Sequence, residues 1–239
     1  MLTFPHPLLP ATFLRRENRF RAAVVLADGR KVAAHVPNSG RLGELLTPGA
    51  ACYVTSSPVP GKTSHVLRLV ACLGRLVSVD ARLPGPLFAD AWARNVLGEP
   101  FQRYTALARE VTFGDSRLDF RLEGPGGRRC WVETKSVTLV GDEATGLPAG
   151  VAFFPDAATR RGVKHLAALA AARRAGDDAA VVFIIQRSDA HAFAPHPTAD
   201  PAFAAALRRA AAAGVGLYAF RCTVSVTGIA VADRVEVAV

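Results

Sequence analysis

Short apolar runs rich in β-branched residues follow one another through the first 80 residues. Two of them, 19–27 and 30–37, flank Asp28-Gly29, and Asp-Gly between two such runs is a strong hairpin signal. The later runs are separated by turn residues at 58–61 and by Gly74, and they cover 50–56, 64–73 and 76–80. The segment 41–46 predicts a single helical turn. Five short strands with one short helix suit a small, partly open barrel of the OB type, although a generic five-stranded barrel fits almost as well.

The pattern changes after a Pro84-Gly85-Pro86 segment, which we interpret as a linker. Apolar residues at three- and four-residue steps from Leu97 to Val111 predict an amphipathic helix that ends near Glu110. Strict alternation over 116–123, a Gly-Pro-Gly-Gly turn and the run 129–139 predict a β-hairpin. The domain boundary is therefore placed near residue 82, giving an all-β domain over 1–82 and an α/β domain over 83–239.

Two further helices are signalled by their ends. After a glycine-rich loop over 141–150, Asp156 predicts the N-cap of a helix that runs to about residue 175. Asp200 followed by Pro201 begins another helix, which Gly214 closes. Buried strands are expected at 180–186, 216–221 and 223–237. The second domain therefore reads as a mixed α/β fold.

Composition narrows the class of protein. Of the 239 residues, 50% are hydrophobic and 21% charged, which excludes a disordered chain. No apolar run approaches the about 20 residues that a bilayer crossing needs, so no membrane association is expected. The N-terminus is broken by prolines and lacks the pattern of a secretory signal. Four widely spaced cysteines without a C-x-x-C pair fit free thiols in a reducing cytoplasm.

The charge favours a polyanionic partner. The formal net charge is +9, and residues 1–80 hold 10 Lys and Arg against 4 Asp and Glu, a net +6 that leaves +3 for the rest of the chain. Such a balance is typical of proteins that bind nucleic acid, although a high-GC genome also inflates the arginine content. The smaller N-terminal part is the more basic one.

The hairpin carries the candidate chemistry. Glu133 and Lys135 are two residues apart on a predicted strand, so both side chains leave the same face, and Asp119 on the partner strand adds a second carboxylate. Two carboxylates with a backbone carbonyl suit Mg²⁺ or Mn²⁺, and Glu110 could complete the site. A nearby ammonium could orient the attacking water. An ordinary cross-strand ion pair explains the same spacing and stays open.

Two polar segments are candidates for phosphate contacts. The first runs from His35 to Arg41 and includes Asn38 and Ser39, which could instead cap the short helical turn. The second lies in the first turns of the helix after Asp156, where a helix N-terminus itself favours anions. It comprises Arg160, Arg161, Lys164 and His165. An ordinary solvated helix face is the alternative for this second segment.

Six segments in this order resemble a known family. They are RENRF at 16–20, HVPNSGRLGELL at 35–46, SRLDF at 116–120, ETKSVTL at 133–139, FPDAATRRGVKHL at 154–166 and QRSD at 186–189. The chain resembles the sugar fermentation stimulation protein A family of bacteria and archaea over nearly its whole length. It departs at Ser39, where the family usually has Thr, and at Thr134, where Val is common.

The resemblance implies an N-terminal OB-like DNA-binding domain and a C-terminal restriction-endonuclease-like domain of the PD-(D/E)xK nuclease superfamily. It implies DNA binding with little sequence preference and a role in the regulation of sugar (maltose) metabolism. Carried over residue by residue, the nuclease signature falls on Asp119, Glu133 and Lys135. The resemblance adds Glu110 and Gln186 as neighbours of that site.

Three functions follow as expectations. The first is a DNA-binding protein that contacts phosphates with Arg16, Arg19 and Arg41 on the barrel and carries a Mg²⁺ or Mn²⁺ site. The second is an active metal-dependent DNA phosphodiesterase. The third, a regulator that binds a sugar or a protein, draws only on the family name. The sequence leaves the oligomeric state open, a homodimer included.

Overall fold

The computed structural model describes residues 1–4, 7–58 and 61–239. Val59 and Pro60, part of the expected turn at 58–61, lie outside these described residues. Within them the chain forms a small β-barrel followed by a mixed α/β half, which confirms the predicted fold class.

A closed barrel forms the N-terminal half. The short strand β1 (Leu2–Thr3) precedes the barrel and is not part of its sheet. The strands of that sheet are β2 (Leu9–Asn18), β3 (Arg21–Leu26), β4 (Lys31–His35), β5 (Ala51–Ser56), β6 (His65–Cys72) and β7 (Arg75–Ser78). The hydrogen-bonded order is β4-β3-β2-β5-β6-β7, and a parallel pairing of β4 with β6 closes the first five into a barrel. Alternate side chains such as Phe13, Val24, Val54 and Leu67 fill its interior.

The barrel differs from the sequence prediction in its first and last strands. The strand Leu9–Asn18 was not predicted, since its run of apolar positions includes Pro10, yet it pairs with both β3 and β5. The run at 76–80 was expected among the five strands of the barrel, but β7 pairs with β6 outside the closed ring. The predicted turn at 41–46 is confirmed, because the amides of Leu45 and Leu46 both donate to the carbonyl of Leu42.

A ten-stranded mixed sheet organises the second half. Its elements in chain order are α1 (Pro84–Ala93), β8 (Ala106–Phe113), β9 (Ser116–Glu123), β10 (Arg129–Val137), β11 (Leu139–Val140), β12 (Val151–Phe154), α2 (Arg160–Arg174), β13 (Asp178–Ile185), β14 (Ala192–Pro195), α3 (Pro201–Ala212), β15 (Gly216–Val224) and β16 (Gly228–Val237). The order is β11-β12-β14-β16-β15-β13-β10-β9-β8, and β1 adds to β16. The predicted hairpin is β9 and β10.

Helices cover both faces of this sheet. Leu87 and Phe88 of α1 pack with Val182 of β13 on one face. Helices α2 and α3 pack on the other face, where Leu166 contacts the cluster that includes Phe183. Strand β13 is therefore buried on both sides, which explains its almost continuous apolar sequence.

The predicted helix from Leu97 to Glu110 is wrong. Only Phe101–Arg103 forms a short 3-10 helix, and the segment Ala106–Phe113 is the strand β8, which pairs with β9. Gly98 adopts a positive φ of 66°, and this glycine and the following Pro100 interrupt the helical pattern. The sequence nevertheless shows apolar residues at helical spacing, because the irregular segment before β8 also buries Leu97 and Phe101.

Two helix beginnings also need correction. Pro84-Gly85-Pro86 is the first turn of α1 and not a linker, since proline needs no amide partner in a first turn. Helix α2 is capped by Thr159, whose hydroxyl accepts from the amide of Gly162 at 3.0 Å, and not by Asp156. The Asp200 cap of α3 is confirmed by its bond from the amide of Phe203 at 2.9 Å.

None of the helices among the described residues has the length and apolar character needed to cross a membrane. The cysteines are free thiols: Cys52, Cys130 and Cys222 are buried, and Cys72 is half-buried.

Candidate functional site

Strands β9 and β10 bring the two carboxylates of the hairpin together. Their register pairs Val132 with Phe120. One step beyond this pair, the carboxylate of Asp119 accepts from the amide of Thr134 at 2.7 Å and from its hydroxyl at 2.6 Å. The Asp119 side chain is thereby fixed against the strand that carries Glu133.

Glu133 is buried, and its two oxygens have different surroundings. Oε1 accepts from both Lys135 Nζ and His165 Nδ1. Oε2 is buried and has no hydrogen-bond partner among the described residues. A buried carboxylate oxygen without a partner is costly, so this atom marks a position where a donor or a cation would be stabilised.

The tautomer of His165 follows from its second contact. Its Nε2 lies 3.3 Å from Nε of Arg161, and an arginine nitrogen can only donate. Nε2 is therefore the acceptor, and the ring proton lies on Nδ1, where it is donated to Glu133.

The pKa values of the two carboxyl groups move in opposite directions. Burial, and then the charge of Glu133, raise the pKa of Asp119 above its ordinary value. Burial by itself would raise the pKa of Glu133, but the bond from His165 and the charge and bond of Lys135 outweigh it, so this pKa lies below its ordinary value. Glu133 is therefore ionised beside an Asp119 that resists ionisation. A bound cation would reduce the repulsion between the two carboxylates and favour the ionised form of Asp119.

A cleft of about 630 Å³ opens between the barrel and the α/β half, above these groups. Asp119, Glu133 and Lys135 line it, and the exposed Arg19 and Arg161 contribute positive charge from the two halves. On the barrel side, the lining includes Asn38, Ser39 and Gly40. The cleft therefore combines a buried Glu133 and a half-buried Asp119 with exposed cations.

Arg16 has a different place from the one expected. Its guanidinium donates to the carbonyl oxygens of Gly40 at 2.7 Å, Arg41 at 2.6 Å, Arg19 at 2.6 Å and Asn38 at 3.0 Å. Through these bonds of its two terminal nitrogens, Arg16 ties together the two loops that line the cleft. These bonds make Arg16 a positioning residue, and its expected contact with phosphate stays a prediction.

The loop at 38–41 is also held from its other side. Asn38 Oδ1 accepts from the amide of Gly40 at 2.8 Å, and its Nδ2 donates to Val79 O at 3.1 Å, so Asn38 has a structural role within the cleft wall. A Cβ on Gly40 would lie 2.4 Å from a carboxylate oxygen of Asp156. The glycine thus permits the close approach of the two halves, a contact that the sequence analysis missed.

The four basic residues of α2 divide into two groups. Arg160 and Arg161 are exposed, and Arg161 lines the cleft. Lys164 is exposed but donates to the carbonyl of Asp115 at 2.7 Å. His165 is buried on the inward face of the helix and contacts Glu133, a placement that does not favour its predicted DNA contact. The spacing of Gly162, His165, Leu166 and Leu169 at three and four residues was the signal for that inward face.

Glu110 and Gln186 were expected beside the carboxylates. Glu110 lies on strand β8, where its positive φ of 55° interrupts the pairing with β9. Its side chain lines the cleft. It is exposed and forms an ion pair with Arg117 at 2.6 Å. Gln186 is fully buried and is not among the described residues that line the cleft.

Gln186 instead joins the two halves of the chain. It accepts from Ser78 Oγ at 2.9 Å and donates to the carbonyl of Asp80 at 3.0 Å and to Ser136 Oγ at 2.7 Å. These bonds use both the oxygen and the nitrogen of its amide group and give Gln186 a structural role, while its catalytic role stays a prediction. Arg41 is exposed but is also absent from the described cleft lining. Arg82, which the sequence analysis did not single out, does line the cleft and pairs with Asp80 at 2.6 Å.

The carboxylates fit a cation that needs few protein ligands. No group of three or more His, Cys, Asp or Glu side chains among the described residues has the arrangement of a complete metal site. Mg²⁺ commonly binds through only one or two carboxylates and retains several waters. The free oxygen of Glu133 and the neighbouring Asp119 meet that smaller requirement.

Comparison with known families matches both halves of the chain. Residues 14–79 match the SfsA N-terminal OB domain, and residues 82–228 match the sugar fermentation stimulation protein RE domain. The chain belongs to the sugar fermentation stimulation protein (SfsA) family. The family identified by resemblance is therefore confirmed.

Relatives in the SfsA family are similar over almost their whole length. A sugar fermentation stimulation protein homolog from Moorella thermoacetica is 47% identical over 224 residues, which cover 93% of each chain. One from Symbiobacterium thermophilum is 46% identical and covers 96% of this chain and 94% of its own. The solved structure of Pyrococcus furiosus SfsA, described as a complex with Ca²⁺, has a TM-score of 0.87 and 32% identity and covers 100% of this chain and 98% of its own.

Proposed function

We propose that this SfsA protein binds DNA in the cleft between its two halves and holds Mg²⁺ or Mn²⁺ at Asp119 and Glu133. The observation that carries the proposal is the unpartnered buried Oε2 of Glu133 beside Asp119, in a cleft that arginines also line. Anionic ligand and cation would then compensate each other's charge.

The charges of the cleft favour the DNA backbone over the bases. Arg19 comes from the barrel and Arg161 from the start of α2, so a strand lying in the cleft could contact cations from both halves. Contacts of this kind position a backbone and carry no sequence information. They support binding with little sequence preference. A role in regulating sugar metabolism rests on the family name alone.

Oxygen chemistry supports the metal part of the proposal. The Pyrococcus furiosus relative is described with Ca²⁺, and Ca²⁺, Mg²⁺ and Mn²⁺ share a preference for carboxylate and water oxygens. In this chain, Asp119 and Glu133 would supply the protein oxygens. Lys135 and His165 hold Glu133 Oε1, which leaves Oε2 as the atom directed to the metal.

Lys135 favours a second function, hydrolysis of a phosphodiester bond. Its ammonium contacts Glu133 at the cleft, and the Lys135 side chain as a whole is only 11% exposed. A bound divalent cation would polarise the phosphate and lower the pKa of a water. Attack of that water on phosphorus would form one P–O bond and break the bond to the leaving sugar oxygen, which takes up a proton. Lys135 is placed to stabilise the negative charge that develops on the phosphate oxygens.

A gel assay separates these functions. Labelled single-stranded and double-stranded DNA are incubated with the protein first in EDTA and then with Mn²⁺. Retarded intact bands in both conditions support binding, and fragments that appear only with Mn²⁺ support hydrolysis. If the DNA migrates as unbound DNA at every protein concentration, even at low salt, the proposed function is contradicted.

A further inference from the structure

An aromatic ring is exposed on the basic barrel. Phe20 lies in the turn between β2 and β3 and is 47% exposed. One side of its ring is stacked on the imidazole of His35 in β4, with ring centroids 6.3 Å apart and an interplanar angle of 29°. The barrel interior does not need this ring, because the core is filled by other residues.

Hydrogen bonds fix the turn that presents Phe20. The amide of Phe20 donates to Asn18 Oδ1 at 2.9 Å, and its carbonyl oxygen lies 3.1 Å from Nδ1 of His35. Arg16 donates to the carbonyl of the adjacent Arg19 at 2.6 Å. A ring held in place in this way loses little conformational freedom when a flat partner stacks on it.

The Phe20–His35 pair adjoins, along the chain, residues that line the cleft. Arg19, the residue before Phe20, lines the cleft, and so do Asn38 and Gly40, which follow His35 by a few residues. In OB barrels, the loop between the first two barrel strands is one of the elements that bind oligonucleotides. Here that loop is the turn at Arg19 and Phe20.

We propose that Phe20, supported by His35, stacks on an unpaired base of a DNA strand whose backbone enters the cleft beside Arg19. The proposal rests on the proposed DNA binding and names its ligand class: single-stranded DNA, or a duplex end with unpaired bases. In a continuous duplex the base faces are covered by their neighbours, whereas every unpaired base offers a face to an aromatic side chain. The flanking arginine supplies the phosphate contact that such sites combine with stacking.

The test measures binding of a fluorescent single strand and of its matched duplex by anisotropy, in EDTA so that no strand is cut. Phe20→Ala and Phe20→Leu should each weaken single-strand binding about tenfold, the order found when a stacking residue is removed, and leave duplex binding unchanged. Leu73→Ala is the control, because it shortens another exposed apolar side chain of the barrel, 71% exposed in the β6–β7 turn. Equal melting temperatures establish that all variants are folded.

A Phe20→Trp variant gives a direct signal. It should retain single-strand affinity, and its added fluorescence should be quenched by the single strand and not by the duplex. A Phe20→Leu variant with full affinity, an equal loss on both DNA forms, or quenching by a neutral oligosaccharide would overturn the assignment. Wild-type binding to duplex alone would overturn it and leave the proposed function standing, whereas binding to neither DNA form would overturn both.

Discussion

His165 Nδ1 is hydrogen-bonded to Glu133 Oε1 in the interior of the α/β half. Because Lys135 shares the same oxygen, both donors act on one side of the carboxylate, and the other oxygen stays free among the described residues. The helix that carries His165 therefore sets the orientation of a carboxylate on the sheet.

Removing this histidine should destabilise the protein before any DNA is present. His165→Ala leaves Glu133 with one donor fewer in a buried site, and we expect the free energy of unfolding to fall by about 1–3 kcal/mol. Urea denaturation in EDTA measures this loss. Arg160→Ala, at an exposed position on the same helix, should change stability little. An unchanged midpoint in His165→Ala would contradict the role assigned to this bond.

The two carboxylates should be needed for metal binding. Asp119→Ala and Glu133→Ala each remove a charged oxygen ligand, so calorimetry should show Mn²⁺ affinity falling at least about tenfold, the lower end for loss of a supporting group at a metal site. Asp115→Ala, an exposed carboxylate in the turn before β9, is the matched control. If both site variants bind Mn²⁺ with wild-type affinity, the two carboxylates are not metal ligands and the hairpin is an ordinary ion-paired one.

Lys135→Ala should separate metal binding from hydrolysis. The change removes a cation beside Glu133, so Mn²⁺ affinity should hold or rise. Any plasmid nicking should fall by about 10²-fold or more, the order found when one group that stabilises developing charge is removed. Nicking at the wild-type rate in this variant would exclude Lys135 from the reaction.

DNA binding should depend on salt and on the arginines that line the cleft. Each phosphate neutralised should contribute about 0.9 to the slope of log K against log salt concentration, so Arg19→Ala and Arg161→Ala should each reduce the slope by about one. Arg174→Ala makes the same charge change at the other end of α2 and should leave the slope unchanged. A salt-independent affinity would contradict the electrostatic basis of binding.

Gln186 should affect stability and not catalysis. Gln186→Ala leaves the buried Ser78 hydroxyl and the buried Asp80 carbonyl unsatisfied, and a loss of about 1–3 kcal/mol in the free energy of unfolding is expected for each unsatisfied group. Gln102→Ala, at an exposed position, is the control in the same denaturation series. A Gln186→Ala variant that has wild-type stability but has lost plasmid nicking would instead support a catalytic role for Gln186.

The sequence revealed those elements in which local pattern and tertiary structure agree. The β9–β10 hairpin and the Asp200 cap were predictable because alternation and capping are local signals. The structure of segment 97–111 was not predictable in this way. Its apolar residues recur every three or four positions, a spacing that fits a helix but also fits an irregular buried segment followed by a strand. Pairing with β9 then decided the outcome.

The clustering of the candidate site residues was predictable from the sequence, and their hydrogen-bond partners were less so. Asp119, Glu133 and Lys135 come together as spacing and resemblance indicated. Arg16 and Gln186 could not be assigned from sequence, because their roles depend on carbonyls and hydroxyls far away along the chain. A polar residue in a family motif can serve either a ligand or the fold, and only its neighbours distinguish the two.

The buried bonds of Gln186 have a consequence for how this chain can be divided. Cutting between Asp80 and the α/β half would expose Ser78 and Gln186, both fully buried, and would separate Gly40 from the Asp156 carboxylate beside it. Although two family domains match the two halves, separating them would expose polar groups that are buried and hydrogen-bonded in the whole chain. The cleft therefore belongs to the pair, and the halves are expected to unfold together as one cooperative unit.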